Sequence, residues 1–388
     1  MKNNRFNTCP YAEYCGGCQL QGMDYQKQLN LKQARMNQLL GRFGKVEEIL
    51  GMKDPYHYRN KVNASFGYEN HRVIVGNYVA STHQIVEVKN CQINDERANA
   101  IIETVRSLAQ KYHISIFNEF TLKGCLRHCM VRTSSRNEVM VVLVTGTNGL
   151  KEEEAFVKDL LKAHPYIKTV VQNTNRRHTS MVLGDKSRTL YGKGYITDDL
   201  CGCAFNISAL SFYQVNKRQT EVLYNTALSL ASFKGNETLI DAYCGTGTIG
   251  MIASRKVKQV IGVELNKKAV ADARVNAKNN RIDNIRFVED DAGNFMRALV
   301  REKSRIDAVI MDPPRKGADR KFLDALLTLA PKQVIYISCG PESLKENLGY
   351  LTSRGYKVVK IQPVDMFPFT EHVECVALLK IIEQKVKR

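Results

Sequence analysis

Two reactive side chains, Asp312 and Cys339, each follow an apolar run that predicts a buried parallel strand. The runs read IDAVIM and QVIYIS, are rich in Val and Ile, and are bounded by Pro or Gly. Ligands of an open α/β sheet bind outside the carboxyl ends of its strands, so we expect this carboxylate and this thiol to face one crevice. We interpret the crevice as a catalytic pocket with Cys339 as nucleophile. A buried core cysteine is the alternative, but a residue placed before Gly340 and Pro341 leaves the sheet for a loop.

The same order of strand and polar residue recurs through the C-terminal half. DAYCGTGTIG places Asp241 at a strand end before a glycine-rich turn, VELN contains Glu264, and FVEDD ends in Asp291. Glycines allow the backbone to approach a ligand closely, and an acidic residue after the second strand suits a ribose diol. The regular alternation predicts an α/β fold with a doubly wound sheet. Because the turn nearly fits the dinucleotide pattern, an NAD site is an alternative on spacing alone.

The N-terminal segment concentrates thiols. Cys9, Cys15 and Cys18 lie in CPYAEYCGGC, where two glycines let the backbone fold back tightly, and Cys91 in VKNCQIND is the best candidate for a fourth ligand. Such a set holds zinc or an iron-sulfur cluster, and its spacing does not choose between them. We do not interpret the eleven cysteines as a disulfide framework, because no signal peptide is evident and cytosolic thiols stay reduced.

Composition points to a polyanionic partner. The 388 residues carry a formal net charge of +18 and a pI near 9.4, which makes nucleic acid the first candidate and an inert basic surface the alternative. No apolar run approaches the length of a membrane span, so we expect a cytoplasmic protein without a membrane partner.

Three domains are predicted along the chain: 1–48, a cysteine segment and helix; 49–200, a central α+β module; and 201–388, the doubly wound unit. Residues 24–40 have helical periodicity, whereas residues 51–146 alternate short β-like runs with one helix. Basic residues interleaved with the central strands would suit a phosphate backbone, with a solvated charged face as the alternative: Arg59, Lys61, Lys123, Arg127, His128, Arg132 and Arg136.

Taken together, the motifs resemble those of the uracil-C5 methyltransferase family that acts on 23S rRNA and on tRNA. The matches span nearly the whole chain and are specific in combination: C-x5-C-x2-C with a later Cys, SFYQVN, DAYCGTGTIG, VELN, MDPPRKG, YISCGP and EHVECV. The resemblance implies a Rossmann-like methyltransferase domain that binds S-adenosylmethionine, and a central domain that binds RNA. It also implies a 4Fe-4S cluster on Cys9, Cys15, Cys18 and Cys91.

The resemblance further assigns roles within the doubly wound domain. Cys339 would be the nucleophile and Glu374 the base, with Glu371 as a nearby competitor. A thiolate that adds to C6 of uracil makes C5 nucleophilic, and a carboxylate must later remove the C5 proton. The target base must leave its stack to be reached. The implied cofactor-binding residues are Gln214, Tyr243, Glu264, Asp291 and Asp312.

Many relatives carry a TRAM domain ahead of the cluster, whereas this chain starts almost at Cys9. We therefore expect a short form, a monomer, in which the central domain and cysteine segment supply most RNA recognition. The expected substrate is a uridine of 23S rRNA, with the tRNA T-loop uridine as the alternative. Two further alternatives are an RNA-binding chaperone with a vestigial methyltransferase fold and an NAD-dependent oxidoreductase with a structural zinc.

Overall fold

The computed structural model of this chain describes residues 9–79 and 82–382. In that part of the chain the α-helices are α1 (Tyr25–Leu40), α2 (Glu96–Lys111), α3 (Glu153–Ala163), α4 (Lys217–Leu230), α5 (Thr248–Ala253), α6 (Lys267–Asn279), α7 (Ala292–Arg301), α8 (Arg320–Leu329) and α9 (Pro341–Thr352). The strands there are β1 (Lys61–Glu69), β2 (Arg72–Tyr78), β3 (Ile85–Glu87), β4 (Leu126–Thr133), β5 (Val139–Thr145), β6 (Ile167–Thr174), β7 (Lys186–Tyr191), β8 (Tyr195–Leu200), β9 (Cys203–Ser208), β10 (Thr238–Ala242), β11 (Gln259–Glu264), β12 (Ile285–Glu289), β13 (Ala308–Met311), β14 (Gln333–Ser338), β15 (Tyr356–Val364) and β16 (Glu374–Ile381). None of the described helices is long and apolar enough to cross a bilayer.

The first sheet, which we call the central sheet, has the strand order β3-β2-β1-β4-β5-β6-β7. Its neighbouring strands are antiparallel except β5 and β6, which are parallel and connected through α3. Helices α2 and α3 cover one face, where they pack on alternate strand residues such as Val62, Ala64 and Val131. Met130 and Met140 face the other way and join a core shared with the C-terminal half. Strands β4 and β5 are therefore buried on both faces.

Residues 186–208 form the three strands β7, β8 and β9. β7 is an edge strand with mostly exposed side chains, so it lacks the apolar alternation that would predict it. β8 and β9 form a hairpin in which Leu200 pairs with Cys203. The predicted division into 1–48, 49–200 and 201–388 stays a prediction, and its last boundary falls at the turn of this hairpin.

The second sheet, which we call the C-terminal sheet, has the order β12-β11-β10-β13-β14-β16-β15. The five strands from β12 to β14 are parallel, and β16 is inserted antiparallel between β14 and β15. The strand order reverses at β10, which pairs with both β11 and β13, and ligands of doubly wound sheets bind at this kind of switch point. The predicted α/β, doubly wound fold is confirmed.

Alternate residues of the parallel strands face two helical layers. Leu239 and Ile310 lie in a core with α4, α5 and α6, whereas Ile240 and Val309 lie in a core with α7, α8 and α9. Burial on both faces explains why these strands are continuous apolar runs in the sequence.

Helix α1, predicted over residues 24–40, packs in the second of these layers. Met36 and Leu40 are buried against the C-terminal sheet, and the carboxylate of Asp24 caps the helix by accepting a backbone hydrogen bond from its first turn. On the buried side, Nζ of Lys32 lies 2.6 Å from Oδ1 of Asp365, and both side chains are almost inaccessible to solvent. The helix thus ties the N-terminal segment to the loop that follows β15.

Candidate active site

Cys339 and Glu374 lie on neighbouring strands of the C-terminal sheet. Ser338, the last residue of β14, pairs with Cys375 of β16 in antiparallel register. Continuing that register by one residue puts Cys339 opposite Glu374, the first residue of β16. Cys339 is partly exposed and lines a cleft of about 450 Å³, whereas Glu374 is only 4% exposed. The predicted nucleophile and base are therefore brought side by side.

Asp312 is close enough to this pair to change its electrostatics. Burial raises the pKa of Asp312 to about 7. Burial, and then the charge of Asp312, raise the pKa of Glu374 to about 8. Burial, Glu374 and Asp312 together raise the pKa of the Cys339 thiol, and the Arg315 guanidinium opposes the shift at both Cys339 and Glu374. Perturbed groups that cluster in a cleft are typical of an active site.

The loops that carry Asp312 and Cys339 touch each other. A Cβ atom on Gly340 would collide with the backbone carbonyl oxygen of Arg315, so this close approach requires glycine. The hydroxyl of Ser343 donates to the same carbonyl at 2.8 Å. These contacts set the position of Cys339 relative to the end of β13.

Arg315 and His372 extend the site beyond the residues predicted from the sequence. Nη2 of Arg315 lies 3.3 Å from Nδ1 of His372, and both line the Cys339 cleft together with Arg35 and Glu371. Arg315 lies in the motif MDPPRKG and His372 in the motif EHVECV, so the motifs could have indicated both residues. Nothing in the sequence indicates Arg35, because its position depends on how α1 packs.

Gln214, Tyr243 and Asp312 line a smaller cavity at the switch point of the C-terminal sheet. The backbone turns sharply there, with φ of 64° at Tyr243 and 55° at Gly245. A Cβ on Gly245 would meet no atom within 4 Å, so it is the left-handed backbone that favours glycine at this position. Asp312 borders this cavity and also acts on Cys339, and it therefore links the two spaces.

Asp241 and Glu264 hold the glycine-rich turn in place. Oδ2 of Asp241 accepts a hydrogen bond from Gly250 N at 2.9 Å, whereas its buried Oδ1 has no partner within the described ranges. Burial raises the pKa of Asp241 to about 8. Oε2 of Glu264 accepts a hydrogen bond from Gly245 N at 3.0 Å. Glu264, which is predicted to bind the ribose, therefore lies next to the backbone that lines the cavity.

Asp291 is occupied by other contacts. It caps α7 by accepting from Asn294 N at 3.0 Å and lies 2.8 Å from Nζ of Lys321, whose ammonium lowers the pKa of the carboxyl. Of the residues that the structure describes, those lining the switch-point cavity include neither Asp291 nor Glu264.

The four predicted cysteine ligands surround one cavity of about 260 Å³: Cys9, Cys15, Cys18 and Cys91. Among the described residues its lining has no His, Asp or Glu, so the donors are thiols alone. Burial and then Cys91 raise the pKa of Cys18 to about 11. Within residues 9–79 and 82–382, no three His, Cys, Asp or Glu side chains are grouped so that they could hold one metal ion. The 4Fe-4S cluster on these four cysteines therefore stays a prediction.

Known proteins match this chain along most of its length. A family model described as tRNA (Uracil-5-)-methyltransferase matches residues 24–382. A Clostridium tetani protein named as an uncharacterized RNA methyltransferase is 42% identical over 384 residues, which are 98% of this chain and 84% of the relative. A Bacillus cereus protein with the same name is 40% identical over 382 residues, 97% of this chain and 83% of the relative.

A solved structure has the same fold. The Pyrococcus abyssi tRNA (uracil-54, C5)-methyltransferase, in complex with S-adenosyl-L-homocysteine, aligns with a TM-score of 0.78 and 25% identity over 94% of this chain and 86% of its own. The oxidoreductase and chaperone alternatives find no support in these matches. The chain therefore belongs to the tRNA (uracil-5-)-methyltransferase family and is an S-adenosylmethionine-dependent RNA methyltransferase.

Proposed function

We propose that this protein methylates C5 of a uridine in 23S rRNA through a temporary bond between Sγ of Cys339 and C6 of the base. The observation that carries the proposal is the register of β14 and β16, which sets Cys339 opposite Glu374. Asp312 acts on both groups, and the cleft beside them opens to solvent at Cys339.

Each residue has a defined task in this chemistry. The Cys339 thiolate adds to C6, and the electron pair of the C5–C6 double bond moves into an enolate that ends on O4. S-adenosylmethionine, when bound, supplies the methyl group, which C5 takes up as S-adenosylhomocysteine leaves. Glu374 then removes the proton from C5, the double bond forms again, and the thiolate departs from C6. The buried carboxylate of Glu374 is on the strand next to the thiol, where the C5 proton would lie.

The cofactor would occupy the switch-point cavity. Gln214, Tyr243 and Asp312 line it, and Asp312 would bring the methyl donor to the side of Cys339. Glu264, behind the turn at Gly245, would hold the ribose diol. We also propose that Asp291, at the start of α7, lies beside the adenine of the cofactor.

Cys9, Cys15, Cys18 and Cys91 would hold a 4Fe-4S cluster. The proposal rests on the one cavity that all four cysteines line, whose described lining has no His, Asp or Glu. The cluster would join the short N-terminal segment to the central sheet, because Cys91 lies between β3 and α2.

The RNA substrate can be tested in cells. We expect 5-methyluridine to disappear from a single region of 23S rRNA when the gene is deleted, with tRNA unchanged. A tRNA T-loop uridine is the second candidate, which the description of the family model and the Pyrococcus structure favour. Loss of 5-methyluridine from tRNA alone would replace the first candidate by the second. We propose that the enzyme works in the cytoplasm and as a monomer, since one chain supplies Cys339, Glu374 and Asp312.

The covalent step can be tested with two variants. Cys339→Ala should lower methyl transfer at least about a thousandfold while S-adenosylmethionine still binds, and Glu374→Gln should accumulate an RNA–protein adduct on a denaturing gel. Cys201→Ala is the matched control and should stay active, and Glu371→Gln tests the competing acid that lines the same cleft. Full activity in Cys339→Ala would remove the covalent mechanism, and an active Glu374→Gln without adduct would move the base elsewhere.

A further inference from the structure

Three cationic side chains, those of Lys61, Arg132 and Arg59, lie near one another, and none of them has an acidic partner among the residues that the structure describes. Lys61 of β1 and Arg132 of β4 are directly paired residues of an antiparallel ladder, so their side chains project to the same side. Arg59 lies two residues before Lys61, outside β1, and its charge acts on Lys61. Like charges placed opposite each other in a sheet are destabilising, so this arrangement costs folding stability unless a ligand offsets it.

Two other basic residues predicted on this module already have acidic partners. Arg127 pairs with Glu119, and Arg136 pairs with Asp199. In the part of the chain that the structure describes, Arg59, Lys61 and Arg132 form no ion pair. Nε of Arg59 and Nε of Arg132 are buried without a hydrogen-bond partner in those same ranges.

Electrostatics and burial agree with this picture. Burial, Arg132 and Arg59 lower the pKa of Lys61 to about 8, and burial lowers the pKa of Arg132 to about 10. Arg132 is 3% exposed. A bound anion would raise the pKa of Lys61 again and give the unpaired guanidinium nitrogens an acceptor.

The cluster adjoins the cofactor cavity without lining it. Nη2 of Arg132 donates to the backbone carbonyl of Ser211 at 2.5 Å, and Nδ2 of Asn60 donates to that of Gln214 at 3.1 Å. Phe212, Tyr213 and Gln214 of the segment that carries these carbonyls line the cavity. An anion bound by these cations would thus belong to a ligand that extends beyond the cofactor cavity. The phosphate backbone next to a target nucleotide would be such a ligand.

We propose that Lys61 and Arg132, flanked by Arg59, form a binding site for one phosphodiester group of the RNA substrate. The site rests on the proposed function in taking RNA as its ligand. Arg59 also lines the cysteine cavity, where its charge can stabilise thiolates. A change at Arg59 would therefore affect two sites, so Lys61 is the residue to test.

The test compares Lys61→Gln with Lys186→Gln, an exposed lysine on β7 of the same sheet. Binding of in vitro transcripts of 23S rRNA and of tRNA is measured across a series of KCl concentrations. Lys61→Gln should weaken binding roughly tenfold and reduce the slope of log K against log salt by about 0.7 to 1, whereas Lys186→Gln should change neither. Equal losses in both variants, or no loss in Lys61→Gln, would overturn the site.

Two further measurements separate a ligand site from a structural role. Lys61→Gln removes a like-charge contact, so its melting temperature without RNA should be unchanged or higher, and its Kd for S-adenosylmethionine should be unchanged. A lower melting temperature would make Lys61 structural, and weaker cofactor binding would assign the cations to the cofactor; either result overturns the site. Failure of the proposed function is distinct from both, because the wild type would then bind RNA without transferring a methyl group to uracil.

Discussion

Asp312, Cys339 and Glu374 share a buried setting that disfavours their charged forms. The proposed reaction needs a thiolate at Cys339 and a carboxylate at Glu374, yet burial raises the pKa of both groups. Arg315 is the cation that acts on both in the direction that favours deprotonation. Arg315 lies in the loop after β13, which contacts the loop that carries Cys339. At this position its charge lowers the pKa values of Cys339 and Glu374.

Removal of the Arg315 charge should shift the pH dependence of catalysis. In Arg315→Gln the pKa values of Cys339 and Glu374 should rise further, so the rising limb of the pH–rate profile should move to higher pH. A shift of one pH unit lowers the rate at neutral pH roughly tenfold. Single-turnover methyl transfer measured from about pH 6 to pH 10 checks this expectation.

Arg315→Lys is the control for that experiment, because it keeps the charge and should keep the profile close to that of the wild type. A rate that falls equally at every pH in Arg315→Gln would contradict an electrostatic effect on the two groups.

Among the secondary-structure elements, α1 and the loop after β15 depend on each other. Lys32 Nζ lies 2.6 Å from Asp365 Oδ1, and the hydroxyl of Tyr25 donates to the other carboxylate oxygen at 2.8 Å. The amide side chain of Gln28 accepts from Phe369 N at 2.9 Å. Burial lowers the pKa of Lys32, and Asp365 opposes that shift. The loop held in this way leads into β16, which begins with Glu374.

Breaking the buried pair should destabilise the fold. Lys32→Met leaves the Asp365 carboxylate without its ammonium partner, and we expect the free energy of unfolding to fall by about 3 to 5 kcal/mol. Lys27→Met, at an exposed position of the same helix, should change it by less than about 0.5 kcal/mol. Urea unfolding of both variants measures the difference, and equal values would show that the pair does not hold α1 in place.

At the scale of the whole molecule, the cysteine cavity lies where three parts of the chain meet. Leu20 N donates to Phe369 O at 2.9 Å, and the rings of Tyr56 and Phe369 lie 5.1 Å apart. Asn77 of β2 donates to Cys15 Sγ at 3.3 Å. The cavity is thus lined by the N-terminal segment and the central module, and Phe369 of the loop before Glu374 belongs to a cluster against which Cys18 and Cys91 pack.

Loss of one of the proposed cluster ligands should therefore loosen two distant segments at once. Cys91→Ser should lose iron and inorganic sulfide, and hydrogen exchange should increase in residues 9–23 and in residues 365–370 while the parallel strands stay protected. Cys201→Ser, at the β8–β9 turn, is the control and should keep its iron. Unchanged exchange in residues 365–370 after iron loss would contradict the coupling.

Local patterns in the sequence predicted the parallel strands and the residues at their ends. Continuous apolar runs signal strands buried on both faces, so the positions of Asp241, Glu264, Asp312 and Cys339 at or near strand ends followed from pattern alone. The four cysteines line one cavity, whereas the metal group predicted from their spacing stays a prediction.

Only the tertiary structure decided which of those residues meet. The antiparallel insertion of β16 beside β14 places Glu374 opposite Cys339, and the packing of α1 brings Arg35 to the cleft. The pairing of β1 with β4 sets Lys61 against Arg132. Strand order and register between distant segments are chosen by burial and hydrogen bonding across the whole chain, whereas periodicity in the sequence reports only each segment's own faces.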